Sequence, residues 1–314
     1  MNIAFFSSDN FGVPSLKALL SNNHNISCVV TQPDRKKGRG LFLSSTVIKK
    51  VALELGIKIY QPYRVNTSEA IKFLKDLSPD LFLVIAYGQI LSQEILDIPK
   101  VLSINIHASL LPKYRGAAPI NWAIIKGEEI TGVTVMKMAR EMDAGPIILQ
   151  KALDIADEDT AVTLEDRLSH LGAELLLDAL KSIESRNYNL MPQDEGKASF
   201  APKLKKENGR INWNLSARDI YNLIRGCLNW PGAFTYYSGK LLKIYRAKSI
   251  RASEYQSIRM AGEITEVSKE GIIVATGKEN LIIEELQIEG KRRMKAEEFI
   301  VGHKICIGET LGKK

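Results

Sequence analysis

An asparagine and a histidine two positions apart, Asn105 and His107, close a strand-like run, V-L-S-I-N-I-H, and an aspartate, Asp143, follows 36 residues later in a turn-like E-M-D-A-G-P. Side chains alternate across a strand, so the amide and the imidazole project from one face. Positions in so apolar a run normally fill a core, and two polar groups aimed at one spot therefore point to a site. The trio suits acyl transfer to an amine. An amide N–H donates to the oxyanion forming at the attacked carbonyl, an imidazole relays the amine's proton, and a carboxylate fixes the imidazole's tautomer or takes the proton through water. No nucleophile on the protein is then required. The same residues also fit a satisfied strand-end histidine and a capping aspartate, and the pattern by itself leaves both readings open.

Other chemistries find less support. The four histidines, His24, His107, His170 and His303, are scattered, and no H-E-x-x-H or C-x-x-C supplies metal ligands at a workable spacing, so no metal is expected. No cysteine or G-x-S-x-G elbow adjoins a histidine for covalent catalysis. The G-R-G at 38–40 lacks the G-x-G-x-x-G form after a strand and reads as a basic loop. Trp122, Trp213 and Trp230 read as core or turn aromatics, although each could stack a base. K-R-R-M-K at 291–295 fits a solvated turn or part of a basic footprint equally well.

The elements that must position the trio alternate in type. Strands are expected at N-I-A-F-F-S, I-S-C-V-V-T, I-K-I-Y, D-L-F-L-V-I-A-Y and V-L-S-I-N-I, with helices starting at Pro14, near Thr46 and at Ser68, the second stopped at Gly56. Such alternation predicts an α/β, Rossmann-like parallel sheet covered on both faces. Ligands sit at the carboxyl ends of such strands, where Tyr87, Gly88 and His107 fall. Further strands are expected at T-G-V-T-V-M-K-M and I-I-L-Q-K-A-L-D-I, then a long amphipathic helix from Thr163 to Ser185. Residues 189–206 lack periodicity, contain Pro192 and Pro202, and read as a linker between a domain at 1–188 and another at 207–314. The latter shows one helix and many short strands between glycine-containing turns, the pattern of a small OB-like β-barrel.

With 45% hydrophobic and 25% charged residues over 314 positions, the chain has the make-up of an ordinary globular protein, long enough for two cores. No apolar run is long enough to cross a membrane and the first residues lack a signal-peptide pattern, so a cytoplasmic location and no membrane partner are expected. Three widely spaced cysteines, Cys28, Cys227 and Cys306, argue against a disulfide framework. The net charge of +7 is unevenly placed: 22 Lys and Arg face 23 Asp and Glu up to residue 202, against 21 and 13 from residue 203 onward. A basic final third suggests a polyanionic partner.

The segment I-N-I-H-A-S-L-L-P-K-Y-R-G-A-A-P-I-N-W-A, with T-G-V-T-V-M-K-M and M-D-A-G after it, resembles the family of formyltransferases that use 10-formyltetrahydrofolate, whose hallmark is N-x-H-x-S-L-L-P and a later aspartate. T-Q-P-D-R-K-K-G-R-G, V-I-A-Y-G-Q-I-L, A-P-K-L-K-K-E-N-G-R-I-N-W and R-G-C-L-N-W-P-G-A-F-T-Y-Y-S-G-K are similar, in collinear order, to the branch of that family acting on methionyl-initiator-tRNA. The resemblance implies 10-formyltetrahydrofolate as formyl donor and methionyl-initiator-tRNA as acceptor. It implies that Asn105 and His107 steady the tetrahedral intermediate and that Asp143 assists proton movement. Ser109, Leu110, Leu111 and Pro112 then match a folate-contacting segment, Tyr87 and Gly88 line the pterin pocket, and Arg39 and Lys37 in the basic loop with Lys203 meet the tRNA. A monomer is expected.

Two stretches depart from the family pattern. After G-R-G the family usually continues with two lysines and P-S-P, whereas Leu41-Phe42 and Ser45-Thr46-Val47 stand here, which bears on the loop's tRNA contacts. The first strand ends in Ser7-Ser8 where Gly-Thr is common. A sugar-nucleotide N-formyltransferase, which shares the trio, is the alternative acceptor reading, and a catalytically silent tRNA-binding protein is the alternative from another class. The basic final third and the G-R-G loop favour tRNA.

Overall fold

The computed structural model describes residues 1–37, 42–250 and 259–313. They divide into two compact units: Met1–Pro119, Ile130–Asp154 and Glu165–Ala201 form the first, and Ile120–Glu129, Ile155–Leu164 and Pro202–Lys314 the second. Two short excursions, 120–129 and 155–164, thus cluster with the later part of the chain.

In chain order, β1 (Asn2–Ser7), α1 (Val13–Ser21), β2 (Asn25–Val30), β3 (Arg35–Lys37), β4 (Phe42–Ser44), α2 (Val47–Glu54), β5 (Ile59–Tyr60), α3 (Ser68–Asp76), β6 (Leu81–Ile85), α4 (Gln93–Leu96) and β7 (Leu102–His107) follow the alternation expected from the sequence, except for β3, β4 and α4, which it did not include. Local chemistry sets several boundaries. The Thr46 hydroxyl accepts from Lys49 N and the Thr67 hydroxyl from Ala70 N, each at 3.3 Å, satisfying amides that the first turns of α2 and α3 leave without partners. Then come α5 (Pro119–Ile125), β8 (Ile130–Lys137), β9 (Ile147–Asp154) and the long α6 (Ala161–Glu184).

The large sheet runs β5-β2-β1-β6-β7-β8-β9. Its first five strands are parallel, but β8 is antiparallel to both β7 and β9. The expected parallel sheet is therefore parallel in the main with an antiparallel edge. All five residues of β6 are buried, as a central strand covered on both faces requires. Phe6, Phe82 and Tyr87 pack edge-on in the core beside it, with ring centroids 4.9 and 5.4 Å apart. Such pairs contribute about 0.5 to 1.5 kcal/mol each beyond the area they bury.

At the carboxyl end of β1 the Ser7-Ser8 turn is closed by side-chain chemistry. The Ser8 hydroxyl donates to the Tyr87 carbonyl and accepts from Gln32 N, both at 3.0 Å. The short β3–β4 hairpin starts just beyond, on a base where Asp34 accepts from Lys49 Nζ at 2.7 Å and from Gln61 Nε2 at 2.9 Å.

The second unit holds α7 (Ala217–Gly226), β10 (Ala233–Tyr237), β11 (Lys240–Ile250), β12 (Ile264–Val267), β13 (Ile272–Ala275), β14 (Asn280–Ile288), β15 (Met294–Lys295) and α8 (Ala296–Gly302). Its strands pair antiparallel in the order β10-β11-β14-β13-β12, with β15 on β14. The apolar face of α7 (Ile220, Leu223, Ile224) and Phe299 of α8 bury against Leu242, Ile244, Leu281, Ile283 and Leu286. Trp213 lies in this core and donates to Thr235 Oγ1, whereas Trp230 stays half-exposed and donates to the Leu204 carbonyl. In the 291–295 run Arg293 pairs with Glu285 and lies over the Tyr245 ring, so that charge is largely committed within the unit. Among the described residues no helix is long and apolar enough to cross a membrane, and no cluster of His, Cys, Asp or Glu could hold a metal ion.

Candidate active site

β7 carries the first two residues of the trio. Ile104 and Ile106 are buried, and Ile106 lies beside Gly172 of α6, so Asn105 and His107 are directed to the opposite side of the sheet. Asn105 is half-buried, and its side-chain amide has no hydrogen-bond partner among the described residues. His107 is buried, at 6% exposure. Its Nε2 lies 2.9 Å from the Tyr114 carbonyl. A carbonyl only accepts, so Nε2 carries the hydrogen, and in the neutral ring Nδ1 is left as the acceptor. That nitrogen faces Asp143, with Oδ2 3.6 Å away. This is a close approach rather than a hydrogen bond.

The tautomer is thus fixed by Tyr114, not by Asp143 as one branch of the sequence reading had it. With the ring neutral, the carboxylate meets a lone pair, so the two groups become direct partners only when a proton lies between them. A proton-accepting position shared by Nδ1 and Oδ2 follows from that geometry.

Asp143 reaches this place by an indirect route. Because β8 is antiparallel to β7, with Ile104 opposite Lys137 and His107 opposite Thr134, β8 ends level with the beginning of β7. The turn after it must fold back along the strand to bring Asp143 to His107. Gly145 makes the turn tight, since a Cβ there would sit 1.9 Å from the Lys137 carbonyl oxygen. Asp143 itself has φ of 54°, a conformation that costs a non-glycine residue about 1 to 3 kcal/mol and persists only where surroundings enforce it. Two contacts do so. Gly116 N donates to Asp143 Oδ2 at 2.8 Å, and Gln193 Nε2 donates to the carbonyls of Asp143 at 2.8 Å and Gly145 at 2.7 Å.

Gln193 belongs to the stretch expected as a linker. At least to Ala201 that stretch is held to the first unit. Arg115, 5% exposed, donates to Gln193 Oε1 through Nε and Nη2 and grips Glu195 bidentately through Nη1 and Nη2. The guanidinium holds the Glu195 carboxyl below its ordinary 4.5. Backbone bonds Arg115 N to Ser199 O (2.8 Å), Ala201 N to Arg115 O (2.7 Å) and Ala118 N to Ala201 O (3.1 Å) complete the join. Sequence reasoning missed Tyr114, Arg115, Gly116 and Gln193. The first three lie inside the segment singled out around His107 but carry no spacing signal, and Gln193 stands in aperiodic sequence.

The segment expected to contact folate is also built largely on itself. Ser109 is buried with its hydroxyl donating to the Lys113 carbonyl, and its own carbonyl accepts from Thr134 Oγ1, both at 2.6 Å. Leu111 N donates to Thr134 Oγ1, and the Leu111 side chain packs with Met136 and Ile147. Leu110 lies over Gly132, and the Pro112 carbonyl accepts from Ser199 N. The Tyr87 ring is in the core at 2% exposure, with burial pushing its phenol well above the ordinary range, and Gly88 follows it just beyond the carboxyl end of β6. Space is open there: a Cβ on Gly88 would meet only Gln32 Nε2, at 3.7 Å. Lys203 is exposed in the second unit, Lys37 ends β3, and Arg39, Gly38 and Leu41 lie outside the described residues.

A mostly parallel sheet whose carboxyl edge presents an uncommitted amide, an imidazole and a carboxylate offers a candidate site for moving a proton, and the chain belongs to the formyl transferase family. Residues 1–180 match the family described as formyl transferase and residues 203–304 its C-terminal domain. Among relatives, the methionyl-tRNA formyltransferase of Acetivibrio thermocellus is 45% identical over 313 residues, covering 100% of both chains. That of Thermodesulfovibrio yellowstonii is 48% identical over 306 residues, covering 98% of this chain and 97% of its own. The fold also matches HypX from Aquifex aeolicus in complex with tetrahydrofolic acid, with a TM-score of 0.66 at 19% identity. That likeness covers 96% of this chain but 47% of HypX, so the chain spans about half that protein's length.

Proposed function

We propose that the chain transfers the formyl group of 10-formyltetrahydrofolate to the α-amine of methionyl-initiator-tRNA, giving N-formylmethionyl-tRNA. The observation that carries this reading is the full-length identity of 45% with a methionyl-tRNA formyltransferase, taken with the His107–Asp143 approach at the sheet edge. In the reaction the amine nitrogen bonds to the formyl carbon, the carbonyl electrons move onto oxygen, and the bond from that carbon to the folate nitrogen N10 then breaks.

Asn105 donates its uncommitted amide N–H to the developing oxyanion. Preorganised donors of this kind are worth about 10²- to 10³-fold in rate. The amine's proton passes to the position between His107 Nδ1 and Asp143 Oδ2, and the imidazolium so formed donates to the oxyanion or returns the proton toward N10. Tyr114 keeps the other ring nitrogen occupied, so the ring cannot turn its proton away from the reacting centre. Residues 109–112 and the Tyr87–Gly88 backbone border the folate. The residues present fit such a donor: the Asn105 amide is uncommitted and the space over Gly88 is open. Lys37, Arg39 and Lys203 neutralise phosphates near the acceptor end, and the basic second unit adds to this salt-dependent attraction.

The test is to supply 10-formyltetrahydrofolate with either methionyl-tRNA or an amino-sugar nucleotide. Formylation of the tRNA alone is the expected result, and formylation of the sugar alone would overturn the acceptor. His107→Ala should lower turnover about 10²- to 10⁴-fold while tRNA binding persists. A wild-type chain that binds tRNA but shows no turnover for the variant to abolish would be a binding protein instead.

A further inference from the structure

We propose that Gln193 is a positioning residue for the transfer reaction: its side-chain amide holds the Asp143 turn in register with His107, and the segment around it is a structural wall of the active site. This rests on the reading above only in assigning Asp143 to the chemistry.

The hydrogen-bonding capacity of Gln193 is used in full. Both Nε2 hydrogens go to the carbonyls of Asp143 and Gly145, and Oε1 receives two N–H groups of Arg115, at 3.0 and 2.8 Å. Only this orientation of the amide satisfies all four contacts, because a flipped group would set donors against donors and an oxygen against two carbonyls. Arg115 is in turn anchored by Glu195, so the chain of contacts runs from an exposed carboxylate through a buried guanidinium to the backbone of Asp143.

The same segment also governs the other side of the pair. Ser199 O accepts from Arg115 N, Ser199 Oγ accepts from Tyr114 N at 2.9 Å, and Ala201 is bonded to both Arg115 and Ala118. Tyr114 supplies the carbonyl that locks His107, and Gly116 supplies the amide that holds Asp143. Residues 191–201 therefore position both groups between which the amine's proton is shared. Asp143 sits in an unfavourable backbone conformation and needs that support. Without the Gln193 donors the turn can relax, and the carboxylate drifts from Nδ1.

Two variants separate positioning from simple packing. Gln193→Glu keeps length and both acceptors for Arg115 but removes the donors to Asp143 and Gly145. Gln193→Met keeps length and removes all four bonds. If Gln193 only anchors Arg115, the Glu variant is active and the Met variant is not. If it positions Asp143, both lose kcat by about 10- to 100-fold, the rate equivalent of one or two such bonds, with KM for both substrates within about 3-fold.

The second readout needs no turnover. On ¹⁵N-histidine-labelled protein, the His107 imidazole resonances, assigned by their loss in His107→Ala, are recorded at one fixed pH in wild type, in Gln193→Glu and in an Asp143→Asn control. In the Gln193→Glu variant the His107 ring-nitrogen chemical shifts should move toward those of Asp143→Asn. A wild-type kcat in Gln193→Glu, or His107 ring shifts in it identical to wild type, overturns the proposal. A chain that formylates no acceptor yet shows the moved ring shifts overturns the functional reading and leaves the positioning role standing.

Discussion

Gly116→Ala tests the architecture of the site at one of its close backbone approaches. Gly116 has φ of 124°, a left-handed conformation that an L side chain resists. A Cβ there would fall 2.7 Å from the Ala201 carbonyl oxygen and 3.2 Å from its carbon, and that oxygen is already held by Ala118 N. Neither neighbour is a flexible side chain that could swing aside, so the 115–118 backbone must move. The same residue's N–H is the 2.8 Å donor to Asp143 Oδ2. Strain of this type costs about 1 to 3 kcal/mol, and loss of a hydrogen bond to a charged group a further 1.5 to 3 kcal/mol. The expected destabilisation is about 2.5 to 6 kcal/mol, a fall in Tm of roughly 5 to 25 °C for a unit of this size. The lost carboxylate contact by itself corresponds to about 10- to 150-fold in kcat. Circular-dichroism melts give the first quantity, and steady-state formylation well below either melting temperature gives the second. A variant with Tm within about 2 °C of wild type and kcat within twofold would falsify the claim that this close approach orders the site.

Three further expectations are independent of that one. Lys49 and Gln61 hold the Asp34 carboxyl below its ordinary 3.8, so the folded state takes up that proton less readily than the unfolded one; the stability gained is complete above the ordinary value and is lost as pH falls through the lowered one. Asp34→Asn should therefore flatten the acid limb of a plot of urea midpoint against pH, and an unchanged limb would remove Asp34 from the hairpin's anchor. Tyr87→Phe deletes a buried hydroxyl that has no hydrogen-bond partner among the described residues, so Tm should hold or rise and KM for the folate donor should stay the same; a large KM increase would mean that the phenol touches the ligand. Burial pushes the Cys28 and Cys227 thiols up to about 12, while Cys306 is exposed, so a thiol reagent at pH 8 should label one cysteine per native chain and three after denaturation.

Much of the first unit was legible because its signals are local. Apolar runs gave β1, β2, β6 and β7, helical runs starting near Thr46 and at Ser68 marked α2 and α3, and the sheet edge carrying His107 followed from their alternation. Strand polarity beyond β7 was not legible, since T-G-V-T-V-M-K-M reads the same in either direction and only the connection decides it. The stretch 189–201 looked like a linker because its interactions are single polar side chains and isolated backbone bonds, which leave no periodicity. The direction of the Tyr87 ring was not legible for a related reason: a tyrosine at the end of a buried strand can send its ring into the core while its carbonyl stays at the sheet edge.

The sequence by itself singled out the groups proposed for the chemistry. Asn105, His107 and Asp143 stand in a motif whose residue types suit only a few reactions, and strand alternation is enough to place the first two on one face. What only the tertiary structure decided is how the third arrives and which proton position the histidine offers. The antiparallel β8 sends the Asp143 turn back along β7, Gly116 and Gln193 hold it in an unfavourable conformation, and the Tyr114 carbonyl leaves Nδ1 facing the carboxylate. These are contacts between residues 7 to 50 positions apart, made largely by backbone carbonyls and amides that every sequence possesses, and nothing in the order of side chains announces them.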